Sequence, residues 1–258
     1  MKSRHGVVPA LFLVIFAGIV LPNVAVGANP KKGAEHYIVH SFDEAIIACE
    51  GGKDFMSRLI LGLAYTEKYN IYKRKLDKEQ ASMYLDIVEV DAKMEDSATI
   101  EMFLAVQGAP NGNKAAMGIL EKCFKNANSS DTDIITMALF LDPQKGPEVN
   151  KIAVYQIYKR LKPVRDYVTK GGEMPVKMKD KVFSNPALIK PLLGALAVTK
   201  AASYARKCLV LIEEPALKYL DEAEMSKPVA DTIVAIKKAI DSRQKKYADS
   251  TWFNGSGE

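Results

Sequence analysis

His36 and His40 stand four residues apart, a spacing that would set both imidazoles on one helical face, as two ligands to a tetrahedral metal require. Glu35, Asp43 and Glu44 are the nearest oxygen donors for a third position. No His-Glu-x-x-His pattern and no clustered cysteines accompany the pair. Cys49, Cys123 and Cys208 each fall on an apolar helical stripe and read as small buried hydrophobes. Three is an odd number, so at least one thiol stays outside any disulfide within the chain. A cysteine nucleophile needs a neighbouring base, and apart from His5 the histidines are confined to 36 and 40. Carboxylates are the remaining acid–base candidates, Glu44 with Asp43 or the run from Asp86 to Glu101, because a pair in unlike environments can divide the roles of acid and base. Nucleophile elbow, phosphate loop and dinucleotide fingerprint are all missing from the sequence. No catalytic residue and no cofactor is therefore expected.

Charge is unevenly spread. Asp86, Glu89, Asp91, Glu95, Asp96 and Glu101 share their stretch with Lys93 alone. From Lys145 to Lys181 there are ten basic and four acidic side chains, and Lys190, Lys200, Arg206 and Lys207 follow. The whole chain carries a formal charge of +5, below the density of a dedicated nucleic-acid binder. If helices gather these charges, the basic side suits an anionic partner: a headgroup surface, a cell-wall polymer or an acidic protein.

The elements that must position these residues are helical. Ser41 to Glu44 has the form of a capping box, followed by Phe42, Ala45, Ile46 and Cys49 on one face and Gly51-Gly52 as the stop. Asp54 is a cap before Phe55, Leu59, Ile60 and Leu63, and Asp77 with Gln80 repeats the capping pattern before Met83, Tyr84, Ile87 and Val88. Gly108 to Gly112 reads as a break, Ser130-Asp131 as a cap, and Pro147 and Pro186 as first-turn prolines. Asn185 is expected to cap one long helix to Glu214, and the last helix to end near Tyr247. Tyr37 to Val39 is the single isolated strand candidate. The pattern predicts an all-α fold of antiparallel helical hairpins, stacked as an irregular α-solenoid or closed into a multi-helix bundle.

Residues 1–27 read as a secretory signal peptide: Lys2 and Arg4, a charge-free apolar run from Val7 to Leu21, then Ala25-Val26-Gly27 at the cleavage position. The run is too short to span a bilayer, and charges interrupt every later apolar stretch. The expected organisation is a flexible segment 28–40, an all-helical domain 41–247 and a tail 248–258, exported to the periplasm or outside the cell.

Tyr69-Asn70-Ile71-Tyr72-Lys73-Arg74 matches Tyr155-Gln156-Ile157-Tyr158-Lys159-Arg160 at five of six positions, as an internal repeat would. Leu61-Gly62-Leu63-Ala64-Tyr65, followed by Asp77 to Ala81 and then Tyr84, resembles one unit of the Sel1-like and tetratricopeptide repeat families. The resemblance implies a helical hairpin in which small residues allow close approach, and a binding scaffold; it carries over no site residues. The expected function is an exported binding or scaffold protein, with a protein or an anionic envelope component as partner. The alternatives are a carboxylate-dependent enzyme of the envelope and a metal carrier using His36 and His40.

Overall fold

The computed structural model describes residues 27–104, 110–169 and 182–254, with side chains at 27–104, 114–167 and 182–245. The expected signal peptide lies outside them, apart from Gly27. Among the described residues there are twelve α-helices and no strand. They are α1 (Pro30–Ile38), α2 (Phe42–Cys49), α3 (Phe55–Tyr72), α4 (Lys75–Asp91), α5 (Ser97–Leu104), α6 (Pro110–Asn126), α7 (Asp131–Ala138), α8 (Pro147–Thr169), α9 (Pro186–Ala195), α10 (Ala202–Ile212), α11 (Glu214–Asp221) and α12 (Lys227–Asn254).

The described residues cluster into two compact units, 27–91 with 110–115, and 92–104 with 116–169 and 182–254. In the first, α1 packs on α2, α3 on α4, and α3 also touches α1 and α2. Its core is Tyr37 from α1 and Leu59, Ile60, Leu61 and Leu63 from α3, all essentially inaccessible. α3 and α4 approach closely at Gly62: a Cβ there would lie 2.6 Å from the Leu85 side chain. Beside it Tyr65 and Tyr84 stack with centroids 6.2 Å apart and planes 5° from parallel. The helical hairpin implied by the repeat resemblance is thus formed by α3 and α4.

In the second unit α7 pairs with α8, α9 with α10, and α11 with α12. Contacts also run from α7 to α9 to α11, and from α8 to α10 to α12. From α7 to α12, each helix therefore meets a sequence neighbour and a helix two places away. Phe124 and Phe140 meet edge to face at 5.0 Å in the core, with Leu120, Ile134 and Met137 buried in the same unit.

Several expected boundaries move, each for a local reason. Segment 28–40, expected to be flexible, carries α1: Asn29 caps it by accepting from the Lys32 N–H, Pro30 opens it, and Ala34 and Tyr37 are fully buried. Of the strand candidate Tyr37 to Val39, Tyr37 and Ile38 end that helix and Val39 caps it. Ser41 is not a capping-box residue. Its N–H donates to the His36 carbonyl at 2.9 Å, closing α1, so the group that Glu44 would accept from is already used. α4 begins at Lys75, which leaves Asp77 inside the first turn, buried and 2.8 Å from Arg74. α6 starts at Pro110, within the expected break. The single helix expected from Asn185 to Glu214 is two: tight turns at Leu196 to Val198 (i to i+3 bonds) and burial of Leu196, Val198 and Ala201 fold α10 back on α9. The last helix runs to Asn254 rather than Tyr247, since no breaker precedes Gly255 and propagation needs none of the apolar period.

Candidate functional site

His36 and His40 do not share a helical face. α1 stops at Ile38, and His40 takes a left-handed conformation at φ +64°. The His40 N–H donates to the Tyr37 carbonyl at 3.0 Å while that of Ser41 reaches His36, the paired bonds of a Schellman motif with histidine where glycine is usual. The His40 ring lies edge-on to Phe42 at 5.7 Å. Among the described residues no group of three histidine, cysteine or carboxylate side chains converges as a metal would need.

The carboxylates are placed as surface or structural groups. Asp43 pairs with Lys68, Glu101 with Lys145, and Glu44 is exposed. Asp96 accepts from the Lys93 N–H at 3.0 Å, and burial pushes its carboxyl above the ordinary range. The three thiols are buried and free of disulfides. Burial, with Asp54 nearby, pushes the Cys49 thiol up to about 12, and burial with Asp96 does the same to Cys123. Such thiols are the reverse of activated nucleophiles.

Two arginines of the basic stretch are structural. Arg160 is buried and gathers the end of α6: its guanidinium donates to the carbonyls of Phe124, Ala127 (2.7 Å) and Asn128 (3.2 Å), and to Gln156 of its own helix. Its counterpart in the repeated hexapeptide, Arg74, is exposed beyond the end of α3 and pairs with Asp77. The two copies therefore occupy different places in their units. Arg165 donates to the Leu211 carbonyl and sits 3.1 Å from Glu213, which Arg243 also pairs. Glu213 is buried at the corner between α10 and α11, at φ +65°, ψ −125°, backbone that glycine would adopt without strain.

A cleft of about 550 Å³ opens in the second unit beside the start of α5, lined among others by Lys93, Glu95, Asn126, Asn128, Thr132 and Asp133. It offers carboxamides, hydroxyls and both signs of charge, with no buried charged group aimed into it among the described residues.

Other described residues of the basic stretch help build a surface. Tyr155 and Tyr158 on α8 flank Tyr204 of α10, with centroids 5.1 and 5.6 Å from it, and Tyr155 is 36% exposed. Lys159, one turn on from Tyr155, lies over that ring at 5.5 Å. Lys207 lies over Tyr204 at 4.7 Å and Tyr158 at 5.7 Å. Both lysines are exposed, and among the described residues neither forms an ion pair, whereas Lys162 is held by Asp166 and Lys200 by Glu148. The arrangement comes from i to i+3 and i+4 spacing on each helix and from the packing of α8 on α10. It offers two exposed ammonium groups over an aromatic floor, suited to a partner that carries negative charge and some apolar surface. The repeated hexapeptide and the lysine-rich run signal half of this face. Tyr204 and Lys207, more than forty residues away, join it only through the fold.

No helix of the described residues is long and apolar enough to cross a membrane. No protein-family model, no curated protein and no solved structure matches this chain.

Proposed function

We propose that this protein is an exported helical scaffold that binds an anionic component of the cell envelope through the tyrosine–lysine face of α8 and α10. The observation that carries the reading is Tyr155, Tyr158 and Tyr204 locked together at the surface with Lys159 and Lys207 laid over their rings. Each unit is read as a short stack of hairpins, an irregular α-solenoid. What supports this is the pairing, from α7 to α12, of each helix with a sequence neighbour and with a helix two places away. Stacks of this kind present extended side-by-side helix faces for binding. Export rests on the charge, apolar run and small residues of 1–27; mass spectrometry of the secreted protein is expected to find Ala28 or Asn29 as the first residue.

Co-sedimentation with phosphatidylglycerol vesicles, and retention on immobilised polyphosphate, test the binding and separate a headgroup surface from a soluble polyanion. Binding is expected to fall with rising salt, as screening requires, and to drop about tenfold or more in K159E/K207E, a loss of roughly 1.4 kcal/mol or more. Equal binding by wild type and K159E/K207E would overturn the assignment of the face.

A further inference from the structure

α4 has two apolar sides, and only one is used within its unit. Ala81 and Val88 are buried, Leu85 meets Gly62, and Tyr84 stacks on Tyr65. The other side carries Leu76, Met83, Ile87 and Val90, which are 64%, 47%, 38% and 80% exposed. With half-buried Gln80 among them, positions 76, 80, 83, 87 and 90 advance by alternating steps of four and three. At 3.6 residues per turn this confines them to an arc of about 80° over roughly 21 Å. That is the seam by which one helix receives another, and exposed side chains continuous along a face mark an interaction surface.

The charges beside the seam select the occupant. Exposed Glu79 and Asp86 line one edge, and Asp91 ends the other. Asp91 is held by Arg58 at 3.4 Å and Glu79 by Lys75 at 3.5 Å, while Asp86 forms no ion pair among the described residues. Lys78 is turned away, over the Tyr69 ring at 5.8 Å. A second copy of the chain fits poorly. Antiparallel pairing sets this acidic edge against itself, and parallel pairing sets Asp86 against Asp91 of the second copy, in both cases like against like. We infer that the exposed side of α4 is a docking seam for a cationic amphipathic helix of a partner protein, apolar along its contact line and flanked by lysine or arginine.

The test uses the full chain and three fluorescent 18-residue helical peptides with one leucine seam, flanked by lysine, glutamine or glutamate. The lysine peptide is expected to bind tightest and the glutamate peptide weakest. I87S/V90S is expected to weaken the lysine peptide about tenfold, and Asp86→Lys is expected to weaken it while improving the glutamate peptide. K159E/K207E is expected to leave peptide binding unchanged, which separates this seam from the α8–α10 face. All four seam side chains are exposed, so circular dichroism is expected to show the same helix in every variant. Equal binding of lysine and glutamate peptides, or no effect of I87S/V90S, overturns the inference. So does a photocrosslinking residue placed at Met83 that attaches to a second copy of the chain or to its own apolar segment 7–21 in the absence of partner.

Discussion

Arg160 ties the end of α6 and the loop after it to α8. A helix ends with carbonyls that have no partner within the helix, and the buried guanidinium donates to one of them, Phe124, and to the carbonyls of Ala127 and Asn128 just beyond the end of α6. Burial lowers its pKa from the ordinary value, the direction expected when a cation is held mainly by neutral carbonyls. Arg160→Met keeps the volume and removes the donors. It is expected to cost about 2–4 kcal/mol, since several bonds to a charged group are lost and the carbonyls left dry. Lys159→Met, at the exposed neighbouring position, is expected to stay within about 0.5 kcal/mol. Urea unfolding of both decides it. Glu213 gives a pH-dependent expectation. Burial raises its carboxyl above the ordinary 4.5, Arg165 and Arg243 pull it back, and Glu214 adds to the rise. The folded state then binds this proton more tightly than the unfolded state. The group's stabilisation is full below the unfolded pKa and is lost as pH climbs through the folded one. The melting temperature of wild type is expected to fall relative to E213Q as pH rises from about 4.5. Parallel curves for the two proteins from pH 4 to 7 would contradict it.

Helix pairing separates two glycines that look alike in sequence. Gly62 and Gly118 both lie inside helices, but a Cβ on Gly62 would meet Leu85 at 2.6 Å, whereas around Gly118 there is nothing within 4 Å. Gly62→Ala is expected to destabilise by about 1–3 kcal/mol through overpacking. Gly118→Ala is expected to stabilise by about 0.5–1 kcal/mol, because alanine loses less backbone entropy in a helix. Thermal unfolding of the two variants should shift in opposite directions. Element ends show the same division between local and distant causes. Asp54, Ser130 and Asn185 cap as their types and positions foretell, accepting from N–H groups two or three residues on. Ser41 carries the same local signal and fails as a cap because the preceding helix ends on its N–H.

Among the described residues, packing begins at Ala28, which is buried, and Asn29, whose N–H donates to the Ala48 carbonyl at 2.7 Å. A protein beginning at Ala28 is therefore expected to keep the full-chain helical spectrum and to melt within about 2 °C of the full chain. Loss of helix on that truncation would show that 1–27 is part of the folded core. The two faces argued for binding, acidic and apolar on α4, basic and aromatic on α8 with α10, lie in different units, so each can be removed by substitution without touching the other.

Helical periodicity and the strong caps are local properties, and the sequence alone determined them: helices throughout the described residues, three thiols on apolar stripes and a basic later half. Whether an apolar stripe ends up buried is decided by what packs on it. α4 carries stripes on two sides, and only the packing of α3 picks Ala81 and Val88 for the interior and leaves Met83 and Val90 outside. Pairings over long separations are equally invisible along the chain: Tyr204 between Tyr155 and Tyr158, or Arg160 reaching back to Phe124. His36 and His40 show the same limit at short range. Four-residue spacing places two side chains on one face only while the helix continues, and here α1 ends between them because Tyr37 is buried and the chain must turn toward α2.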